Sequence, residues 1–267
     1  MKLVKPKVEF IPQEPTLKGA KKVIEIAGRI CYKSEHLITK DSSEKFYNRM
    51  KGYGHGSVLE HGTIYLTVDR FTDDEPVIEF YDKNPFSRIK CRGDKAYITT
   101  NLRVIEENKR HDDLQYMCGP TEFHDKRYTF RIITSRIISQ QFTRHRVMSP
   151  SQESQRYCNY SKDKFNSEIQ FIYPVWYKDC SERAIQLYTD HMLHTEKTYF
   201  GLLEEGLLAE DARDALINGV KTEFAYTGFE SDFVGNFHEL RSHKSAQKLI
   251  RIQENEIYNI INNNKNK

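Results

Sequence analysis

The segment from Gln140 to Ser161 holds the side chains of this chain that are best suited to bind an anion. It reads QQFTRHRVMSPSQESQRYCNYS. Its charged residues and its histidine are Arg144, His145, Arg146, Glu153 and Arg156. A guanidinium group donates paired hydrogen bonds to phosphate, and the serines and glutamines around Pro150 add neutral donors and acceptors. The composition predicts a pocket for a small polyanion, although a solvated basic helix end followed by a polar loop would have the same composition.

The spacing within this segment is more specific than its composition. Arg144 to Arg146 spell Arg-His-Arg, Ser154 follows after seven residues, and Arg156-Tyr157 comes directly behind. This order resembles the RHRX7S signature of the flavin-dependent thymidylate synthases, and Gln141 matches a further glutamine of that family. Four residues at fixed spacing, followed by two more, make the resemblance specific.

Three other elements resemble the same family and occur in the same order. Residues His55 to His61, HGSVLEH, are similar to its upstream element, which leads into a strand. Ala212 to Leu216 resembles an Ala-Arg-x-x-Leu-Pro helix, except that Ile217 stands in place of the proline. Asn236 to Arg241 resembles the Asn-Phe and Leu-Arg pairs of the family. The resemblance therefore covers most of the chain, from about residue 20 to about residue 255.

One stretch, about residues 71–126, is longer than in the compact members of that family. It is rich in Asp, Lys and Pro and has weak hydrophobic periodicity. We therefore expect a single catalytic domain over residues 1–267, with an insertion at about 71–126 that could be a lid, an oligomer contact or a simple extension.

The resemblance implies an activity, its cofactors and its site residues. Members convert dUMP to dTMP with 5,10-methylenetetrahydrofolate as carbon donor, NADPH as reductant and FAD as hydride carrier. They are homotetramers with sites between subunits. The residues expected to bind dUMP are Gln141, Arg144, Gln152, Glu153, Ser154, Gln155, Arg156, Arg213 and Arg241. The residues expected to bind FAD are Ser57, Glu60, Arg144, His145, Arg146, Gln152 and Asn236.

Two of these residues are candidates for the chemistry itself. By the resemblance, Arg241 would lie beside the uracil, where its fixed charge would favour ionisation at N3 and raise the electron density at C5. A cation at about 4 Å and an effective dielectric constant near 20 is worth roughly 4 kcal/mol, enough for a large pKa change. Ser154 could be a nucleophile, but its only evident base is His145 and a hydride-driven route needs no protein nucleophile, so a positioning role is favoured.

Two departures from the family pattern leave other functional hypotheses open. Ser151-Gln152 replaces the usual Asn-Glu, and Phe229 to Ser231 replaces an Asn-x-Arg contact to FAD. The second change removes a cation and favours, as an alternative, a nucleotide-binding relative without FAD. A third hypothesis is an RNA-binding module that uses the arginines and tyrosines for phosphate contact and stacking.

The net charge, the cysteine count and the mean hydropathy restrict the class of protein. Across 267 residues the formal net charge is +3, too small to argue for nucleic acid as a partner. Five widely spaced cysteines without a CxxC pair favour reduced thiols over a disulfide framework. The mean hydropathy is −0.72, and no apolar run approaches the roughly 18 residues of a membrane span. The N-terminus lacks a signal-peptide pattern, so we expect a cytoplasmic, soluble protein.

Two further motifs are weak. The glycines at 52, 54 and 56 follow a helix and precede a strand, which is the wrong context for a dinucleotide-binding loop. His55, Glu60 and His61 lack the i, i+4 histidine spacing of helical zinc sites, and we expect no metal.

Periodicity and capping residues predict the elements that must position the arginines. Strands are expected at 63–68, half-buried, and at 128–133. Helices are expected after the capping box Asp41 to Glu44 and then at about 135–142, from Asp179 to Leu203, at 210–217 and at 245–261, followed by a frayed tail at 262–267. Strands and helices mix without a βαβ rhythm, so the predicted class is α+β, with a mixed sheet flanked by helices.

Overall fold

The computed structural model describes residues 1–71, 75–162 and 165–265. Its strands are β1 (Lys2–Val4), β2 (Lys7–Ile11), β3 (Thr63–Asp69), β4 (Arg88–Arg92), β5 (Lys95–Asn101), β6 (Arg127–Ser135), β7 (Ser149–Gln152), β8 (Gln170–Ile172) and β9 (Lys221–Phe229). Its helices are α1 (Leu17–Tyr32), α2 (Ser42–Gly52), α3 (Gly56–Leu59), α4 (Glu75–Lys83), α5 (Leu102–Glu107), α6 (Arg136–Thr143), α7 (Glu182–Glu204), α8 (Ala209–Ala212), α9 (Glu230–Asp232), α10 (His238–Ser242) and α11 (Lys248–Lys265).

The predicted α+β class is confirmed, but the strands do not form one mixed sheet. Among the described residues, β2-β6-β9-β7 form an antiparallel sheet, β3-β5-β4 form a second antiparallel sheet, and β1 pairs in parallel with β8. The two antiparallel sheets remain separate because β3 pairs with β5, from the segment 71–126, rather than with β6.

Strand β9 is the centre of the four-stranded sheet, and all nine of its residues are buried. Alternate side chains point to opposite faces of a strand. Phe224 and Tyr226 pack against the aromatic cluster of α6 and the π-helical turn Phe233–Phe237. Ala225 faces the other way and packs against Ala27 and Ile30 of α1. The sheet is therefore covered on both faces, which explains the absence of strict polar alternation along β9.

The segment 71–126 contains regular structure that its weak periodicity did not predict. Beyond the undescribed residues 72–74 it forms α4, the hairpin β4-β5, α5 and a 3₁₀ turn His111–Tyr116. Strand β3 was expected to be half-buried, and this was wrong. Tyr65 is buried beneath the ring of His124, while Ile64 and Leu66 on the opposite face lie in the core of α1, α2 and α5.

Several helix boundaries differ from the sequence prediction. Asp41 makes no capping bond and instead pairs with Lys18 at 3.3 Å. Helix α7 is capped by Ser181, whose Oγ accepts from the Ala184 N–H, and not by Asp179. The helix expected at 210–217 is a single α-turn followed by a 3₁₀ turn Arg213–Ala215.

The expected frayed tail at 262–267 is helical as far as Lys265, because Ile257 and Ile261 anchor the last turns of α11 in the core. Residues 266–267 lie outside the described residues. The remaining predicted helices and strands are present, with ends that shift by at most four residues.

Candidate active site

The Arg-His-Arg segment follows directly from the end of α6. Arg144 is the C-terminal cap of this helix, and the next residues turn back toward β7. Arg144 and Arg146 are exposed, whereas His145 between them is only 9% exposed. The turn thus projects two permanent cations to the surface and buries the imidazole beneath them.

Arg241 joins this segment to α10. Its Nε donates to His145 Nε2 at 2.9 Å, and its Nη2 donates to the Gln141 carbonyl at 2.8 Å. The Gln141 carbonyl belongs to the last turn of α6, where carbonyls lack helical partners and cations are favoured. Burial lowers the pKa of Arg241; Tyr226 opposes this effect and the charge of Arg144 adds to it.

His145 is a neutral hydrogen-bond acceptor in this arrangement. Burial and then Arg241 lower its pKa to about 4. Its Nε2 accepts from Arg241, which leaves the proton on Nδ1, and its ring packs at 4.9 Å against Phe237. With a pKa near 4, His145 would be a weak base for Ser154, and no hydrogen bond between these two side chains occurs within the described residues.

A polar cleft of about 580 Å³ opens beside β7, the edge strand of the four-stranded sheet. It lies between β7, the end of α1 and the start of α3. Three residues expected to bind FAD or dUMP line it: Ser57, Gln152 and Ser154. Tyr32 and Tyr157, with ring centroids 5.8 Å apart, form an aromatic wall. The cleft combines hydroxyl and amide groups with aromatic surface, as sites for heteroaromatic ligands do.

Glu60 lies close to this cleft and is held by two arginines. Its carboxylate accepts from Arg103 Nη1 at 2.5 Å, and its backbone carbonyl accepts from Arg127 Nη1 at 2.9 Å. Gln152, on the same cleft, donates through Nε2 to Ser139 Oγ at 2.7 Å. The amide that replaces the usual family carboxylate is therefore held by hydroxyl groups.

Glu153 points away from the cleft into the interior and is 2% exposed. Its two oxygens accept from Lys221 Nζ at 3.0 Å and from the Tyr160 hydroxyl at 3.1 Å. Lys33 and Glu223 extend this cluster of buried charges. Within one chain, both carboxylate oxygens of Glu153 accept hydrogen bonds from these internal partners, and neither faces the cleft.

Arg156 and Arg213 belong to another group of cations. Arg156 Nε donates to Glu210 Oε2 at 3.2 Å, and Glu210 precedes Arg213 by about one helical turn. Arg213 also lies close enough to Arg136 to lower its pKa, after the larger effect of burial. Between Ser154 and Arg156, Gln155 has a buried Nε2 without a partner among the described residues.

Asn236 is exposed on the π-helical turn Phe233–Phe237, one residue before the Phe237 that packs on His145. The turn contains Gly235 at φ −94° and ψ −115°, outside helical geometry. Single π-turns interrupt helices where an extra residue is accommodated, often at functional sites.

The structure therefore brings the predicted residues together as separate groups within one chain. Gln141, Arg144, His145 and Arg241 form the first group; Ser57, Gln152 and Ser154 with Glu60 nearby form the second; Arg156 and Arg213 form the third. Glu153 lies in the interior. Arg146 and Asn236 are exposed on the connecting turns.

Sequence reasoning missed two residues that line the cleft, Tyr32 and Arg103. Arg103 lies on α5, within the stretch 71–126 to which no structure was assigned. The available signal was Asn101, whose side chain caps α5 by accepting from the Val104 N–H at 3.2 Å. Tyr32 is the last residue of α1 and carried no distinguishing motif.

The cleft offers groups of the kind that FAD requires. The hydroxyls of Ser57 and Ser154 and the guanidinium of Arg103 are suitable donors for phosphate oxygens, and Tyr32 and Tyr157 offer ring surface. A Cβ at Gly56, which also lines the cleft, would lie 3.0 Å from Glu107 Oε1 and 3.2 Å from Arg103 Nε, so the backbone approaches this ion pair closely. The donor set of the cleft fits a phosphorylated heteroaromatic group.

The departure at Phe229 to Ser231 also has a structural counterpart. Ser231 Oγ donates to Asp125 Oδ2 at 2.5 Å, and the ring of Phe229 is covered by Arg88 at 4.8 Å and Arg127 at 5.3 Å. Asp232 Oδ2 lies 3.7 Å from Arg88 Nη2. Phe229 is therefore buried, whereas Ser231 is exposed but hydrogen-bonded within the chain.

The described residues contain no disulfide, no group of candidate metal ligands and no helix suited to span a membrane. All five cysteines are free thiols. No group of three or more candidate metal ligands occurs within residues 1–71, 75–162 and 165–265. Over the same ranges, no helix is both long enough and apolar enough to cross a bilayer.

The fold and the site define an α+β protein with exposed arginines and a polar cleft at one edge of an antiparallel sheet. The sequence profile of the family described as "Thymidylate synthase complementing protein" matches residues 15–73 and 94–264. The chain belongs to this family, which confirms the assignment made from the motifs. The profile passes over residues 74–93, which contain α4 and β4.

Curated relatives carry the name flavin-dependent thymidylate synthase. The protein of Geobacter sulfurreducens is 32% identical over 117 residues, which are 44% of this chain and 48% of that protein. The protein of Sulfurisphaera tokodaii is 34% identical over 125 residues, 46% of each chain. The protein of Pyrococcus furiosus is 35% identical over 179 residues, 64% of this chain and 72% of that protein. The chain thus spans about half the length of the first two.

A solved structure is also similar in outline. It is a UMP/dUMP methylase from Streptomyces cacaoi bound with 5-Br dUMP, with a TM-score of 0.48 and 14% identity. The similarity covers 96% of this chain and 90% of that chain.

Proposed function

We propose that this protein is a flavin-dependent thymidylate synthase that methylates dUMP at C5 to give dTMP. 5,10-Methylenetetrahydrofolate would supply the one-carbon unit, NADPH the hydride, and the C5 hydrogen of dUMP would leave as a proton. Bound FAD would carry the hydride between NADPH and the one-carbon unit. The observation that carries this proposal is the family match, which includes the Arg-His-Arg segment, the cleft residues and Arg241.

The arrangement of Arg241 supports its proposed role. Two hydrogen bonds, to His145 and to the Gln141 carbonyl, hold the guanidinium at the end of α6, where Arg144 is the C-terminal cap. A uracil ring next to this pair would gain a fixed positive field, which favours its N3 anion and raises the electron density at C5. Because His145 is neutral near pH 7, it adds no competing charge and acts by orienting Arg241.

Residues from all three groups, around Arg241, around the cleft and around Arg156, would contact the substrates and the cofactor. A phosphate near −2 requires permanent cations, and Arg144, Arg156 and Arg213 are exposed or partly exposed. We propose a homotetramer in which the group around Arg241 in one subunit faces the group around Arg156 in another. Ser154 and Gln155, between the cleft and Arg156, would position the nucleotide, while Ser57, Glu60, Arg146 and Asn236 would contact FAD.

The test is NADPH-dependent release of tritium from dUMP labelled at C5, with methylenetetrahydrofolate and FAD present. Arg241→Ala is expected to lose at least a hundredfold in rate with an unchanged circular dichroism spectrum, and Arg241→Lys should retain part of the rate. No release by the wild-type protein would overturn the proposal. A rate for Arg241→Ala within a few-fold of wild type would overturn only the assigned role of Arg241.

A FAD-free nucleotide-binding relative is the second candidate, favoured by the burial of Phe229 and the hydrogen bond of Ser231 to Asp125. It predicts a colourless protein that binds dUMP but not added FAD. The RNA-binding hypothesis predicts affinity for polymer that falls steeply with salt, whereas the proposed enzyme should bind free dUMP saturably.

A further inference from the structure

Arg103 makes two charge-assisted hydrogen bonds, one to Glu60 beside the cleft and one to Glu107 on its own helix. Its Nη1 donates to Glu60 Oε1 at 2.5 Å, and its Nε donates to Glu107 Oε1 at 2.7 Å. The Arg103 side chain is 38% exposed and that of Glu60 is 18% exposed. Glu107 is four residues after Arg103 on α5, so the helix itself pre-orients the guanidinium group.

The geometry fixes where this cation can act. Helix α5 is tied to the loop before β3 because the Leu102 N–H donates to the Gly62 carbonyl at 2.8 Å. The Arg103–Glu107 pair rests against Gly56 at the start of α3, in the wall of the cleft. Arg103 is the only lysine or arginine among the described residues that line this cleft.

A carboxylate beside a site for an anionic ligand is electrostatically unfavourable unless a cation neutralises it. Glu60 is such a carboxylate, because it is bonded to Arg103 in the cleft wall, and the same wall contains Ser57, whose hydroxyl is suited to phosphate oxygens. Its orientation also needs support, since a glutamate side chain has several rotatable bonds. The bond from Arg103 Nη1 meets both requirements, and Glu107 keeps Arg103 in place without itself lining the cleft.

We propose that Arg103 is a positioning residue of the flavin site, which neutralises and orients Glu60 so that the cleft accepts the pyrophosphate of FAD. The inference rests on the proposed function, because it requires that FAD binds in this cleft. It assigns a role in cofactor binding to the segment 71–126, where no role was predicted.

The test is titration of the full-length apoprotein with FAD, followed by quenching of flavin fluorescence. Arg103→Met is expected to raise the Kd at least tenfold in the wild-type background, but less than threefold in a Glu60→Gln background, where no carboxylate remains to be neutralised. Riboflavin, which has no phosphate, should be affected less than threefold by Arg103→Met. Arg92→Met, which removes an exposed cation from β4, is the charge-matched control and should leave the Kd within twofold.

The outcomes distinguish a failure of the proposed function from a failure of the role assigned to Arg103. If wild-type protein does not bind FAD at all, the proposed function fails. If wild-type protein binds FAD and Arg103→Met binds within twofold of it, or if Arg103→Met has the same effect in both backgrounds, the role of Arg103 is overturned. Should Arg103→Met fail to fold, Gly56→Ala provides the second variant, because its Cβ displaces the Arg103–Glu107 pair, and it should also weaken FAD more than riboflavin.

Discussion

Replacing Glu223 by glutamine should destabilise the folded protein by about 3 kcal/mol at pH 7. Its side chain is 7% exposed and its carboxylate pairs with Lys33, Lys221 and Arg131. Burial alone would raise the pKa of this carboxyl, but Lys221, Lys33 and Arg131 lower it from 4.5 to about 2. At about 1.4 kcal/mol per pKa unit, this fall corresponds to about 3 kcal/mol of stabilisation. Glutamine removes only one carboxylate of this network, because Lys221 keeps Glu153 as a partner and Lys33 and Arg131 keep Glu35.

The pH dependence of this effect has a definite sign. Because the folded pKa of Glu223 lies below its unfolded value, the stabilisation is complete above about pH 5 and is lost as the pH falls toward 2. The difference in unfolding free energy between wild type and Glu223→Gln should therefore be about 1 kcal/mol smaller at pH 4 than at pH 7.

The assay is urea unfolding at fixed protein concentration, with circular dichroism and the fluorescence of the single tryptophan, Trp176, as probes. The matched control is Glu79→Gln, which removes an exposed carboxylate paired with Lys83 on α4 and should leave the urea midpoint unchanged. If Glu223→Gln unfolds within about 1 kcal/mol of wild type, or if its deficit grows toward pH 4, the stabilising role of the buried network is wrong.

Three further predictions use other parts of the structure. Gly228→Ala should cost about 1–3 kcal/mol in urea unfolding, because its Cβ would overlap Met148 Sδ, and adding Met148→Ala should recover part of that loss. The ring resonances of His145 should not titrate between pH 5 and 8 in NMR spectra, because burial and Arg241 hold its pKa near 4; a midpoint near 6.5 would contradict the Arg241 contact. At pH 8, Cys31 should react with a disulfide reagent far more slowly than exposed Cys91, since burial raises its thiol pKa to about 11; equal rates in single-cysteine variants would refute this.

Local patterns were enough to predict the elements around the arginines. The alternation of β6 and the apolar stripe of α11 are short-range signals that tertiary packing then reinforced. Helix boundaries were less predictable, because Asp41 and Ser181 are both plausible caps and only the folded geometry selects the side chain that reaches a free N–H. The segment 71–126 was unpredictable by periodicity, since β5 reads KAYITTN and shows no strict alternation of polar and apolar residues.

By itself, the sequence determined the family and the α+β class, because the Arg-His-Arg segment and its companions are ordered, closely spaced patterns that need no folding to be recognised. Only the tertiary structure decided which of those residues face a cleft and which face inward. Glu153 and Ser154 are neighbours in the chain, yet one pairs with Lys221 in the interior and the other lines the cleft. The contacts of Arg103 with Glu60 and of Arg241 with His145 join residues 43 and 96 positions apart. Such contacts depend on how sheets and helices pack, and no local spacing in a single sequence encodes that.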